Sequence, residues 1–308
     1  MRRFNLEAGR LPPSPTRPIR RTIAAGVLLA VLLIGVYLAA ASPASAAPAI
    51  QVAVSVPPQA YLVDRIGGNR VEVQVMIPPG ASPTTYEPSP HQMVSLHHAL
   101  LYLKVGHPDF PFESRHLTSL LRRYPQLKVV DMYAADAAAE SGLTTSDLTR
   151  TFTPGDPHLW MAPGYAEAAA FKIAEVLTAV DPAGAPLYEA NLRLFLGELW
   201  NLDRSIRGAL AGLKQRRFLV QHPAWGYFAR QYELEQVAIE AEGKEPSAGQ
   251  IVDLIERARE EEIKVIFVQT GISDRSARVI AREIGAQLVE LDPLAYDWLD
   301  NLSRTADA

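Results

Sequence analysis

Pro186-Leu187-Tyr188-Glu189-Ala190-Asn191-Leu192-Arg193-Leu194-Phe195-Leu196-Gly197-Glu198-Leu199-Trp200-Asn201-Leu202 opens the stretch that decides the fold. Leu192, Phe195, Leu196, Leu199, Leu202, Ile206 and Leu210 keep the i, i+3, i+4, i+7 rhythm of a helix that buries one face. The pattern predicts one helix from Pro186 to about Leu213, roughly 40 Å long at about 1.5 Å per residue. Pro186 suits its first turn, and Gly212 can stop it. A helix of that length is a stiff spine. What lies on either side of it is built differently.

Before the spine, short Val-, Leu- and Ile-rich runs alternate with helical ones. Val52–Val56, Val71–Ile77, Leu100–Val105 and Leu127–Met132 read as strands. Gln59–Ile66, His91–His98, Glu113–Arg123 and Gly164–Val180 read as helices, and Ala135–Pro154 as a long surface loop. After the spine the logic repeats. Phe218–Gln221, Val237–Ala241, Lys264–Gln269 and Gln287–Leu291 read as strands, Ala248–Glu262 and Asp274–Ile284 as amphipathic helices. Strands alternating with helices predict parallel sheets covered on both faces. The expected fold is therefore α/β: two lobes, each a mostly parallel sheet flanked by helices, joined by one long rigid helix over a cleft. In such sheets ligands sit beyond the carboxyl ends of the strands.

The N-terminus reads as a targeting segment. Arg2, Arg3, Arg10, Arg17, Arg20 and Arg21 form a basic region, and an apolar run extends from Thr22 to about Ala41. Ser42-Pro43 breaks it, and Ala44-Ser45-Ala46 is a small-residue cleavage signature, so residues 1–46 are expected to be a cleavable signal peptide. A retained anchor is the alternative, since about 20 apolar residues can span a bilayer. The chain beyond residue 46 holds 24 basic and 33 acidic residues, a net charge of −9. That is a poor surface for nucleic acid and compatible with cation capture. The chain has no cysteine, which excludes disulfides, thiolate ligands, a cysteine nucleophile and a lipid-modified cysteine.

Three segments carry candidate chemistry. Asp156-Pro157-His158-Leu159-Trp160 and His222-Pro223-Ala224-Trp225-Gly226-Tyr227-Phe228 each put a histidine beside a proline and aromatics. Leu291-Asp292-Pro293-Leu294 puts a carboxylate in the same kind of place. His222 and Asp292 directly follow expected strand ends. Two imidazoles and one carboxylate can make the core of a transition-metal site. No short ligand motif such as His-Glu-x-x-His occurs, and a lone His beside a Trp is more often a packed or capping residue.

These segments, with Val75-Met76-Ile77-Pro78-Pro79-Gly80, Tyr86-Glu87-Pro88-Ser89-Pro90 and Glu242-Gly243-Lys244-Glu245-Pro246-Ser247, give the chain a resemblance. It resembles the solute-binding proteins of bacterial zinc and manganese ABC transporters, the cluster A-I group, over nearly all of the chain after the targeting segment. The resemblance implies a first metal-binding lobe at 47–181, a linking helix at 182–214 and a second lobe at 215–308. It implies a periplasmic protein, likened to the zinc-type members by His222, that hands Zn2+, or alternatively Mn2+, to an ABC permease as a monomer. By motif the ligands would be His158, His222 and Asp292.

The chain departs from that pattern where the family segment usually reads Pro-Pro-Gly-x-x-Pro-His-x-Tyr-Glu-Pro. Here Thr84 stands in place of the histidine, and a hydroxyl is a feeble zinc ligand beside imidazole. His107 follows Val105-Gly106 at an expected strand end and is expected to supply the missing nitrogen, with Glu87 the weaker substitute. His91, His97, His98 and His116 read as helix-surface residues. Residues 132–154 contain no histidine, so a metal-collecting loop is not expected there. Three protein ligands and an open position also describe a catalytic zinc. A zinc hydrolase with Glu87 as base is therefore one alternative, and an adhesion or binding module without metal is another.

Overall fold

A computed structural model describes residues 48–132, 154–240 and 244–308. The expected targeting segment, nearly all of the expected 135–154 loop, and residues 241–243, with the end of the strand expected over 237–241, lie outside the described residues. Residues from 49 onward form one compact unit. Its first sheet contains β1 (Ile50–Val54), β2 (Val71–Val75), β3 (Leu101–Lys104) and β4 (Lys128–Asp131). They lie in the order β2-β1-β3-β4, every neighbouring pair parallel. The connecting helices are α1 (Pro57–Gly67), α2 (Pro90–Ser95) and α3 (Pro111–Arg123), and α4 (Pro163–Val180) comes after the sheet.

The second sheet has the same plan. Strands β5 (Arg217–Val220), β6 (Glu235–Ala238), β7 (Val265–Val268) and β8 (Gln287–Glu290) run in the order β6-β5-β7-β8, again all parallel. Between the sheets stands α5 (Ala185–Leu210), a single helix of 26 residues. The stripe read from the sequence is its inner face, since Phe195, Leu199, Leu202, Ile206 and Leu210 are buried. Helices α7 (Ala248–Glu260) and α8 (Arg275–Ile284) match the expected amphipathic pair. The sheets run as the alternation predicts; β1 and β5 keep the expected length but start two residues and one residue earlier, and the other strands are one or two residues shorter.

Two helices escape the periodicity: α6 (Gly226–Gln231) and α9 (Trp298–Asp307). The first is only six residues long, too short to display a period. Conversely, the helix expected over His91–His98 is shorter. It stops at Ser95, and the turn beyond brings the His97 and His98 rings edge to face at 5.3 Å. Both residues are exposed.

In each sheet the chain leaves the central strand for one side and returns on the other, so β1/β3 and β5/β7 are the switch points where a crevice opens. The loop after β3 is held from beneath. Glu113 on α3 is buried, and its carboxylate accepts the Val105 N–H at 2.6 Å, the Gly106 N–H at 2.9 Å and the Ser55 hydroxyl. Gly106 has φ +80°, a conformation strained for other residues, and a Cβ there would stand 2.1 Å from an Asp131 carboxylate oxygen, so any substitution would also have to displace that side chain. One hydrophobic cluster runs through both sheets, from Val54 and Leu103 through Trp160 and Phe195 to Val220, Leu291 and Trp298. A second covers the outer part of the second sheet, around Ile255, Ile266 and Ile280.

Glu167 on α4 is only 7% exposed, and burial lifts its carboxyl from an ordinary 4.5 to about 7. A group with a raised folded-state pKa favours folding while both states are protonated. That support fades as pH rises through the folded value, because the folded chain must then bury the charge. Near pH 8 this costs about 3 kcal/mol. Glu167→Gln is therefore expected to raise the melting temperature by several degrees at pH 8 and little at pH 5. Equal gains at both pH values in a calorimetric scan would contradict this.

Candidate metal centre

His158 lies in the turn that carries the chain from the first sheet to α4. Asp156, two residues earlier, folds its carboxylate back onto it. Oδ1 accepts the His158 backbone N–H at 3.1 Å and the ring Nδ1–H at 2.8 Å. With Nδ1 protonated in that bond, the Nε2 lone pair points away from the turn. Space for Asp156 comes from the other lobe. A Cβ on Gly226, the first residue of α6, would stand 2.3 Å from Asp156 Oδ2.

His222 lies two residues past β5, at the switch point of the second sheet. Its Nδ1–H donates to Glu240 Oε1, just beyond β6. Glu240 is 8% exposed. So His222 too is oriented by a carboxylate and presents Nε2. The two Nε2 atoms meet across the cleft at 3.3 Å, with the rings nearly perpendicular at 83°. Burial, first of all, lowers the His158 pKa, opposed by Asp156 and assisted by the nearby His222 and His107 rings. His158 is thus held neutral, the form a metal requires.

Asp292 lies just past β8 and faces the same cavity. One carboxylate oxygen accepts the Leu294 N–H at 2.9 Å, and the backbone carbonyl accepts the Asn301 amide at 2.8 Å. Burial raises its carboxyl pKa. Among the described residues no three His, Cys, Asp or Glu side chains converge into a ready-made ion site. The structure joins the two imidazoles, with Asp292 on the wall of the shared cavity.

The other expected donors are placed differently. His107 is 3% exposed at the switch point of the first sheet, near His158, but it is not on the cavity wall. Its Nδ1 accepts the Asp109 N–H at 3.1 Å. A neutral ring in that bond carries its proton on Nε2. Glu87 extends into solvent, 3.5 Å from His116 Nε2 on α3, and is not on the cavity wall either. Thr84 is exposed and lines the cavity.

The cavity encloses about 530 Å³ between the lobes, walled by Pro79–Thr84 on one side and Gln269–Ile272 on the other. These loops nearly touch. Gly271, at φ +80°, lies so close to the Gly80 carbonyl that a Cβ would stand 3.1 Å from its oxygen. Behind the site, Trp160 Nε1–H donates to the Pro293 carbonyl, and Trp298 Nε1–H donates to the Trp160 carbonyl, both at 2.7 Å.

The orienting residues Asp156 and Glu240 were not singled out from the sequence. Asp156 had a signal, its two-residue spacing from His158. Glu240 had none, because 18 residues separate it from His222 and only the β5–β6 pairing brings them together.

Residues 52–308 match the family described as zinc-uptake complex component A, periplasmic (ZnuA). A putative metal-binding protein of Chlamydia muridarum is 29% identical over 259 residues, 84% of this chain and 90% of that protein. The high-affinity zinc uptake system protein ZnuA of Bacillus subtilis is 33% identical over 141 residues, 45% of this chain and 44% of that one. A crystal structure of a ZnuA superposes with a TM-score of 0.74 at 39% identity, covering 84% of this chain and 97% of the other.

Proposed function

We propose, from the premise that this chain belongs to the periplasmic ZnuA zinc-uptake family, that it captures one zinc ion between its two lobes and delivers it to an ABC permease. The family binds a solute and does not transform one, so the chain is not an enzyme. In this reading residues 1–46 direct export, 47–181 and 215–308 form the lobes, 182–214 links them, and the protein works as a monomer. His158, His222 and Asp292 hold the ion.

One observation carries the reading: the 3.3 Å gap between the Nε2 atoms of His158 and His222, each ring fixed by a carboxylate on Nδ1. Two nitrogens bound at about 2.0–2.1 Å to a tetrahedral zinc stand about 3.3–3.4 Å apart. Without a cation or a shared proton, two lone pairs at that distance repel. Carboxylate–histidine pairs are the usual support of zinc-binding imidazoles. Imidazole also favours zinc over manganese, which prefers carboxylate and water.

Titration of chelator-stripped protein is expected to show one saturable zinc per chain, with manganese at least about tenfold weaker. Absence of a one-to-one zinc endpoint would reject the function.

A further inference from the structure

The wall of the inter-lobe cavity carries four ionisable side chains among the described residues: Asp109 and His158 from the first lobe, His222 and Asp292 from the second. Each lobe contributes one imidazole and one carboxylate, and no lysine or arginine stands among them. The proposed zinc reading, on which this inference rests, uses three of the four. A four-coordinate zinc needs one more donor.

On the first lobe's side the choice is narrow. Ser82 and Thr84 offer hydroxyls, which are weak zinc donors beside a carboxylate, while His107 and Glu87 lie off the wall. Asp109 is a half-exposed carboxylate in the loop between β3 and α3. Its Oδ2 accepts the Gly155 N–H at 2.9 Å. That bond fastens it to the turn that carries His158, three residues further on. Three residues span at most about 11 Å when extended, and this turn is folded back by Asp156. One hydrogen bond does not exhaust a carboxylate, which has about four lone-pair sites. Its imidazole neighbour is His107, whose Nδ1 lies 4.0 Å from Oδ2 and accepts the backbone N–H of Asp109 itself. Among the described residues no lysine or arginine forms an ion pair with Asp109, so its charge is open to a cation in the cavity.

We propose that Asp109 is the fourth zinc ligand and takes the place of the histidine that Thr84 replaces. The ion is then held by two nitrogens and two oxygens, one of each from either lobe, and the two carboxylates balance its double charge. No three donors converge beforehand among the described residues. The ion itself therefore draws the Asp109 carboxylate in, by rotation about its two side-chain bonds into a cavity of about 530 Å³.

The test is zinc and manganese titration of the chelator-stripped protein, with a crystal structure of the zinc-loaded form. Asp109→Asn keeps an oxygen for the Gly155 N–H and loses the charge. It is expected to weaken zinc binding about 10–100-fold, less than a histidine's share because water can take the place. Manganese should weaken by a larger factor, since it depends more on carboxylate. His107→Ala and Thr84→Ala should stay within about threefold of the parent, because neither supplies a ligand. The crystal structure is expected to place an Asp109 oxygen about 2.0–2.2 Å from the zinc. With His158→Ala showing its loss, unchanged zinc affinity in Asp109→Asn would overturn the inference and leave zinc capture intact. So would a water in the fourth position with Asp109 still bound to Gly155, or a loss in His107→Ala as large as in His158→Ala. No loss in either His158→Ala or Asp109→Asn would instead reject the reading of the site itself.

Discussion

Alanine at His158 or at His222 is expected to weaken zinc binding about a hundred- to a thousandfold. Protein zinc sites of four ligands are worth roughly 10–16 kcal/mol near neutral pH. One ligand's share is therefore about 3–4 kcal/mol, and each 1.4 kcal/mol is about tenfold. Neither substitution empties a core position, as both rings stand at the cleft with part of their surface open. The fold should survive, which an unchanged circular dichroism spectrum would confirm. The effect should be graded outward. Glu240→Gln removes the charge behind His222 and should cost about 10–100-fold. Asp292→Ala should fall below the histidine variants, since water can replace one carboxylate oxygen. Zinc affinity within about threefold of the parent in both histidine variants would remove these residues from the site.

The largest loss of stability should come from Trp160→Ala, about 3–5 kcal/mol. The indole is fully buried, packs edge-on against Phe110 at 6.0 Å and His158 at 5.4 Å, and donates to the Pro293 carbonyl. Alanine would open a cavity where the two lobes meet and leave that carbonyl without its donor. For a folded unit of this size the melting temperature should drop by about 6–20 °C. Trp160→Phe keeps much of the packing, loses the N–H, and should cost clearly less. A drop below about 2 °C for alanine in differential scanning calorimetry would show that Trp160 does not join the lobes.

Much of this was legible because the elements that carry the fold are long or repeated. The stripe from Leu192 to Leu210 specifies one helix by itself, and eight β-rich runs spaced by helices specify two parallel sheets. His222 and Asp292 could be assigned to the cleft because they directly follow strands, and parallel strands all end at the same edge. What the sequence could not convey is geometry across the chain. The same reasoning that selected His222 selected His107, which also follows a strand at a switch point. What separates them is tertiary: His222 reaches the cavity wall, with Glu240 behind it and His158 opposite, whereas His107 lies off the wall and accepts the Asp109 amide. Gly226 was visible as part of a motif. Its purpose, making room for a carboxylate from the other lobe, was not.

The hydrophobic cluster shared by both lobes also bears on what a bound ion can signal. A receptor whose halves swing together must divert part of its ligand affinity into closing them, in proportion to how rarely the closed form is populated. Here a continuous interior and two tryptophan hydrogen bonds already hold the halves in place. Nearly all of the coordination energy is therefore expected to appear as affinity. The corollary is that loading is expected to leave the silhouette of the molecule almost unchanged. A membrane partner of the kind proposed above is then expected to tell full from empty by touch at the rim, where the Gly80 and Gly271 turns nearly meet, rather than by overall shape.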